Sequence, residues 1–211
     1  MKIIDLSQPL RDGMRGVEVR TVMQLSVDGW NATSLGLFSH CGTHMDAPRH
    51  FLADGKTIDQ QALSVCVGPA RVIDVAPAAP RQLISVDDLG PAADRIQPGE
   101  RLLFRTDWHH RHGTPEYRDE LPRISIELAR WLAERRVALI GVEPPSVADV
   151  NNLEEVTEVH QTLLRASVVI VEGLANLDRL ESAQVQFIAL PLRIDGGDGS
   201  PVRAVAIDAI E

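Results

Sequence analysis

The sequence predicts a strand-rich, mixed α/β domain, and three observations support this fold class. Short runs rich in Val and Ile recur along the chain and are bounded by Gly, Pro or Asp, as is typical of β-strands. Only two longer segments show the apolar spacing of amphipathic helices. A chain of 211 residues with 44% hydrophobic and 24% charged residues can bury a substantial core. We therefore predict one domain over residues 1–211.

Each predicted element follows from local composition. The strands are residues 2–6, 17–27, 33–38, 70–75, 101–105, 137–142, 167–172, 186–191 and 203–210. Helices are predicted over residues 125–136, with Ser125 as N-cap, and over residues 158–166. A shorter helix is predicted over residues 85–89. Residues 107–119 carry three histidines, Gly, Pro and several charges, so we expect a long exposed loop with solvated His109, His110 and His112.

Charge and cysteine content narrow the class of protein. The net charge of −9 argues against a nucleic-acid surface or an anionic-membrane anchor, which both need basic residues. It leaves a small-molecule substrate, including an anionic one, as the expected partner. No apolar run approaches the roughly 18 residues of a membrane helix. Two cysteines are too few for a disulfide framework, and the first residues lack a signal-peptide pattern, so we expect reduced thiols and a cytoplasmic protein.

The most informative stretch is residues 39–50, Ser-His-Cys-Gly-Thr-His-Met-Asp-Ala-Pro-Arg-His. Gly and Pro make a helix unfavourable here, and in an extended backbone alternate side chains share one face. His40, His44 and Asp46 would then converge on one side of one strand. Isolated histidines are usually ordinary surface residues, but two imidazoles and a carboxylate in this pattern suit Zn²⁺, Mn²⁺ or Fe²⁺ with open coordination positions.

The flanking residues allow further assignments. His50 follows Pro48 and is either a proton shuttle near neutral pH, or a fourth metal ligand or a residue that contacts the metal ligands. Cys41 and Met45 alternate to the opposite face and are expected in the core. Trp30 and Trp108 are candidates to line a pocket for an aromatic substrate.

The pattern His40-x-Gly42-Thr43-His44-x-Asp46-x-Pro48-x-His50 resembles the HxGTHxDxPxH signature of the cyclase family, which includes bacterial kynurenine formamidase and isatin hydrolase. Residues 4–10, 160–174 and 190–204 resemble three further family segments in the same order. The resemblance implies a swivelling β/β/α, barrel-like fold, homodimers or homotetramers, and one or two divalent ions, Zn or Mn, per subunit.

The resemblance also implies roles for single residues. His40, His44 and Asp46 would hold a first metal, Asp46 would bridge to a second metal held by His160 and Glu172, and His50 would donate and accept the proton. Glu172 fits independently, because it ends an apolar run where a buried acid without a cation is unfavourable.

The function predicted on this basis is metal-dependent hydrolysis, by metal-activated water, of the C–N bond in a small amide, formamide or cyclic amide or imide. The alternatives are a metal-dependent lyase or cyclase, a lactone hydrolase, or a non-catalytic metal-binding protein. No Gly-x-Ser-x-Gly elbow supports a serine hydrolase. The segment 143–149, Glu-Pro-Pro-Ser-Val-Ala-Asp, departs from the Asp-Thr-Pro-Ser-Val-Asp-like stretch of kynurenine formamidases.

Overall fold

Strands of a single curved sheet dominate the computed structural model of the chain, which describes residues 2–208. In chain order the strands are β1 (Lys2–Asp5), β2 (Val17–Met23), β3 (Ala32–Leu37), β4 (His44–Asp46), β5 (Val67–Asp74), β6 (Leu83–Ile84), β7 (Arg101–Arg105), β8 (Arg123–Ile124), β9 (Leu139–Val142), β10 (Val169–Glu172), β11 (Gln184–Pro191) and β12 (Gly199–Asp208). The α-helices are α1 (Leu25–Asp28), α2 (Leu63–Cys66), α3 (Pro115–Asp119), α4 (Ile126–Glu134) and α5 (Leu153–Arg165). Several 3₁₀ turns connect them, among them Trp108–Arg111 and Leu177–Arg179.

Seven strands close into a barrel in the order β12-β11-β5-β7-β9-β10-β4, with β4 pairing back onto β12. The run β5-β7-β9-β10 is parallel, and the remaining barrel pairs are antiparallel. β1 extends the sheet along β12, and β2 and β3 form a separate hairpin. This architecture confirms the predicted strand-rich, mixed α/β fold class.

Alternation along the strands separates two hydrophobic cores. Inward-facing residues such as Met45, Leu103 and Val171 fill the barrel. Outward-facing residues of the parallel strands, such as Ile140 and Ile170, pack against α4 and α5, as expected when helices cover a parallel sheet. None of the helices in residues 2–208 has the length and apolarity needed to cross a membrane.

The predicted elements differ from the observed ones chiefly at their ends. The strand predicted over 17–27 stops at Met23, because the Asp28 carboxylate accepts a hydrogen bond from the Gln24 amide and starts the α1 turn. The helix predicted over 158–166 begins earlier, at Leu153, with the Asn152 side chain as N-cap. The short helix predicted over 85–89 overlaps a longer 3₁₀ segment, Asp87–Arg95, that begins two residues later. The last strand is described to Asp208, and residues 209–210 of its predicted range lie outside the described residues.

The expectation of an exposed loop over residues 107–119 holds only in part: residues 110, 111, 113–116 and 119 are exposed, but the segment contains a 3₁₀ turn and helix α3 and buries two aromatic side chains. Trp108, Tyr117 and Leu121 form a third buried cluster, and the Trp108 indole N–H donates to the Tyr117 carbonyl at 2.8 Å. The His109 side chain is only 8% exposed, whereas His110 is 61% exposed. The side chains of Trp108 and Tyr117 pack into the protein and hold this segment in place. The charge content of the segment does not predict this packing.

Candidate metal centre

Asp46 lies at the middle of a buried cluster of imidazoles and carboxylates. Strand alternation turns Met45 into the barrel and places His44 and Asp46 on the outer face, beneath α5. Asp46 Oδ1 lies 2.9 Å from His40 Nδ1, and Oδ2 lies 3.5 Å from His160 Nε2. Asp46 Oδ2 is buried and has no hydrogen-bond partner among the described residues. An unpartnered buried carboxylate oxygen is costly unless a cation neutralises it.

Backbone carbonyls fix the orientation of two buried imidazoles. His44 Nδ1 lies 3.0 Å from the Gly42 carbonyl, and His160 Nδ1 lies 2.7 Å from the Val156 carbonyl. Because a carbonyl oxygen only accepts, each Nδ1 carries the proton and each Nε2 is turned toward the carboxylates. Metal-binding histidines are commonly oriented in this way. Burial alone would lower the pKa of both imidazoles, but the adjacent Glu172 and Asp46 carboxylates raise it by more, so each pKa lies above the ordinary value for histidine. A cation that binds at these nitrogen atoms would therefore displace protons.

Glu172 joins the same cluster from the end of β10. Its Oε2 lies 3.2 Å from His44 Nε2 and its Oε1 lies 3.4 Å from His160 Nε2. These separations match the roughly 3.4 Å between ligand atoms in a tetrahedral site with metal–nitrogen distances of about 2.1 Å. Burial raises the pKa of Glu172, yet hydrogen bonds with His160 and His44 hold it far below its ordinary value. The carboxylate is therefore ionised and able to bind a cation.

His40 reaches the cluster through a turn and not along a strand. β4 begins only at His44, and Gly42 has φ +57°, a left-handed conformation that favours glycine. Gly199 of β12 lies so close that an added Cβ would come within 2.6 Å of the His40 ring. The prediction that His40, His44 and Asp46 share one face of one extended strand is therefore wrong for His40, although the three side chains do meet.

His50 stands beside the cluster in the 3₁₀ turn Pro48–His50. Its ring stacks on His40 with centroids 3.8 Å apart, and its side chain is 28% exposed. Burial lowers the pKa of His50, which leaves the imidazole neutral and able to accept a proton near neutral pH. Asp198 Oδ2 lies 3.2 Å from His40 Nε2 and 3.7 Å from His50 Nδ1. Sequence reasoning missed Asp198, and its place in the glycine-rich segment 196–199 was the only available signal.

The cluster opens into a cleft of about 600 Å³. His40, His44 and Tyr117 are among the residues that line it. The guanidinium-bearing side chains of Arg15 and Arg118 line both this cleft and an adjoining one that contains His50 and Glu172. Sequence patterns did not identify either arginine, because each is isolated among other charges in the chain.

Three residues singled out in the sequence lie elsewhere. Trp108 is 1% exposed and fully enclosed, so its indole offers no surface to a ligand. Trp30 is exposed beside the β2–β3 hairpin. Glu143, the first departure in segment 143–149, points away from the cluster: its carboxylate accepts hydrogen bonds from the Thr106 amide and hydroxyl and the Trp108 amide.

Buried histidines and carboxylates meet beside a cleft on a barrel, an arrangement of the kind that can hold a divalent metal ion. The chain belongs to the Cyclase family, whose pattern it matches over residues 4–149. It is 35% identical over 210 residues to a kynurenine formamidase of Bacillus cereus, covering 96% of this chain and 95% of that protein.

Solved structures of isatin hydrolases share the fold along nearly the whole chain. Isatin hydrolase A from Ralstonia solanacearum has 28% sequence identity and a TM-score of 0.86, with 99% of this chain and 92% of that chain covered. Isatin hydrolase A from Labrenzia aggregata, bound to benzyl benzoate, has 26% identity and a TM-score of 0.88, with 99% and 94% covered.

Proposed function

We propose that this chain is a metal-dependent hydrolase that cleaves the C–N bond of a small amide, formamide or cyclic amide. The observation that carries the proposal is the buried Asp46 Oδ2, which has no hydrogen-bond partner among residues 2–208 and lies next to imidazoles that line a cleft. Sequence similarity to a kynurenine formamidase and structural similarity to isatin hydrolases support a hydrolase that acts on non-peptide C–N bonds.

The donor set fits one or two divalent ions. We assign His40, His44 and Asp46 to a first ion, and Asp46, His160 and Glu172 to a second. Nitrogen and oxygen donors of this kind suit Zn²⁺ or Mn²⁺. An ion bound there would acidify its water ligand to a pKa of about 7 and polarise a carbonyl group.

His50 is assigned to proton transfer. Its ring borders the cluster, stacked on His40, its pKa is lowered by burial, and Asp198 Oδ2 lies 3.7 Å from its Nδ1. The neutral ring takes a proton from the attacking water and delivers it to the departing nitrogen.

Arg15 and Arg118 indicate a substrate with an anionic group. The Arg118 guanidinium donates to Asp119 and Asn151 at 2.8 and 3.0 Å, which holds the side chain beside the cleft. It is positioned to bind a carboxylate carried by the substrate or released as product.

The test joins metal analysis to a hydrolysis panel of an aryl formamide, isatin, a cyclic imide and a lactone. We expect bound Zn or Mn and turnover of at least one C–N substrate, abolished by chelation and restored by metal. Full activity after exhaustive chelation would overturn the scheme, and bound metal without any turnover would instead indicate a non-catalytic metal-binding protein.

We also propose a homodimer or homotetramer in the cytoplasm. Val22, Leu25, Val27 and Trp30 are more than half exposed on or beside the β2–β3 hairpin, and such apolar patches commonly mark protein contacts. Cys41 and Cys66 are buried free thiols, in keeping with a reducing compartment. Light scattering should give a dimer or tetramer mass that Val27→Asp reduces.

A further inference from the structure

A second group of metal-binding side chains lies on two turns outside the cleft residues. His109 and His110 belong to the 3₁₀ turn that follows β7, and Asp178 belongs to the 3₁₀ turn that follows β10. His109 Nε2 lies 3.5 Å from Asp178 Oδ1, and His110 Nε2 lies 3.2 Å from Asp178 Oδ2. One donor atom from each residue lies within 4.8 Å of the others. These separations equal those found around Asp46.

His109 is held in the orientation of a metal ligand. Its Nδ1 lies 2.9 Å from Glu143 Oε1, on a carboxylate that is fully buried. Glu143 Oε2 accepts three hydrogen bonds from Thr106 and Trp108, and these contacts fix the position of the carboxylate independently of His109. His109 therefore donates through Nδ1 and turns Nε2 toward Asp178, the carboxylate–histidine arrangement that commonly supports a metal ligand.

Asp178 supplies an oxygen that lacks a hydrogen-bond partner among residues 2–208. Its Oδ1 is buried and accepts no hydrogen bond from any of the described residues. The nearby Arg105 does not neutralise it through a direct contact, because its guanidinium is bonded to Asp107 at 2.9 and 3.2 Å and to Asp74 at 3.3 Å. The imidazole rings of His109 and His110 lie 3.9 Å apart, centroid to centroid, on the side of Asp178.

We propose that His109, His110 and Asp178 form a separate binding site for a Zn²⁺-type cation, which clamps the turn after β7 to the turn after β10. Two imidazoles and one carboxylate are a Zn²⁺ donor set, and three protein ligands leave a fourth position for water. The exposed ring of His110 gives the ion access from solvent. The site depends on neither the cluster around Asp46 nor the proposed hydrolase activity.

The experiment measures Zn²⁺ per chain by equilibrium dialysis against buffered Zn²⁺. The Asp46→Asn variant weakens the first cluster, and His110→Ala is added to it to remove a ligand of the second site. The matched control adds His112→Ala, which removes an imidazole of the same segment that lies outside the group. We expect the Asp46→Asn variant to bind one Zn²⁺ per chain. Adding His110→Ala to this variant should abolish that binding, whereas adding His112→Ala should leave it unchanged.

A second measurement covers the case in which Asp46→Asn fails to fold. The otherwise unaltered chain should bind one more Zn²⁺ than His110→Ala or Asp178→Asn, and excess Zn²⁺ should raise its Tm by about 2–4 °C more than it raises theirs. Zinc should also shift the NMR signals of the His109 and His110 rings. Equal zinc content in the His110→Ala variant and its parent would overturn the proposal.

Discussion

The cluster around Asp46 and the cluster around Asp178 contain the same types of side chain, but these side chains lie on different kinds of secondary structure. His44, Asp46 and Glu172 belong to barrel strands and are almost fully buried, and carbonyl groups orient the imidazoles of His44 and His160. His109, His110 and Asp178 lie on 3₁₀ turns, and their exposure ranges from 8% to 61%.

The difference indicates what each cluster can do. The cluster around Asp46 combines two carboxylates and three imidazoles beside a cleft that Arg118 lines, so a bound ion can meet a substrate. The turn-borne cluster has one carboxylate and connects segments 68 residues apart in the chain. Catalysis is expected of the first cluster and cross-linking of the second.

The largest effect is expected for Asp46→Asn. This substitution removes a negative charge and an assigned oxygen ligand from the centre of the cluster around Asp46, so turnover should fall to the uncatalysed background. Metal content and initial rates provide the measurement, with the exposed Asp54→Asn as control. Retained activity in Asp46→Asn would remove the distinction between the two clusters.

His50→Ala should lower kcat by about 10²–10⁴-fold, the usual contribution of a positioned proton-transfer group. Metal content should stay near that of the unaltered chain, because the assigned ligands remain. The exposed Arg49→Ala, in the same 3₁₀ turn, serves as the control and should leave both kcat and metal content unchanged. Loss of metal from His50→Ala would make His50 a ligand and refute its assigned role.

Arg118→Ala should raise KM about tenfold for an anionic substrate and much less for a neutral analogue. A charge-assisted contact contributes about 1.5–3 kcal/mol, and partial solvent exposure of Arg118 reduces this to roughly 1.4 kcal/mol. Arg130→Ala, which breaks an exposed ion pair with Glu158, is the matched control. Equal effects on both substrates would contradict an anion-binding role.

The smallest effects concern stability in the absence of added metal. His109→Ala should lower the free energy of unfolding by about 1–3 kcal/mol, because it leaves Glu143 Oε1 buried without its hydrogen-bond partner. His110→Ala should change it by less than about 0.5 kcal/mol, as is usual for exposed side chains. Urea unfolding of both variants measures the difference, and similar values would show that burial of His109 has no energetic consequence.

Local sequence patterns determined much of the barrel. Strands β5, β7 and β11 and helix α4 lie within a few residues of their predicted ranges, because alternation, β-branched residues and the Ser125 N-cap are local properties. The HxGTHxDxPxH pattern likewise identified six clustered side chains when joined to the family resemblance. Asp198, Arg118 and the buried state of Trp108 could not be predicted in the same way, since they depend on partners far along the chain.

The sequence by itself determined the class of fold and which residue types could bind metal, because spacing along the backbone sets which side chains are near neighbours. Only the tertiary structure decided how His160 and Glu172 meet Asp46, and that His109 leaves solvent to contact Glu143. Both outcomes depend on strand pairing in the barrel, of β10 with β4 and of β7 with β9, which brings together residues more than 30 positions apart in the chain. The energy of those contacts comes from burial and charge pairing, which no local pattern encodes.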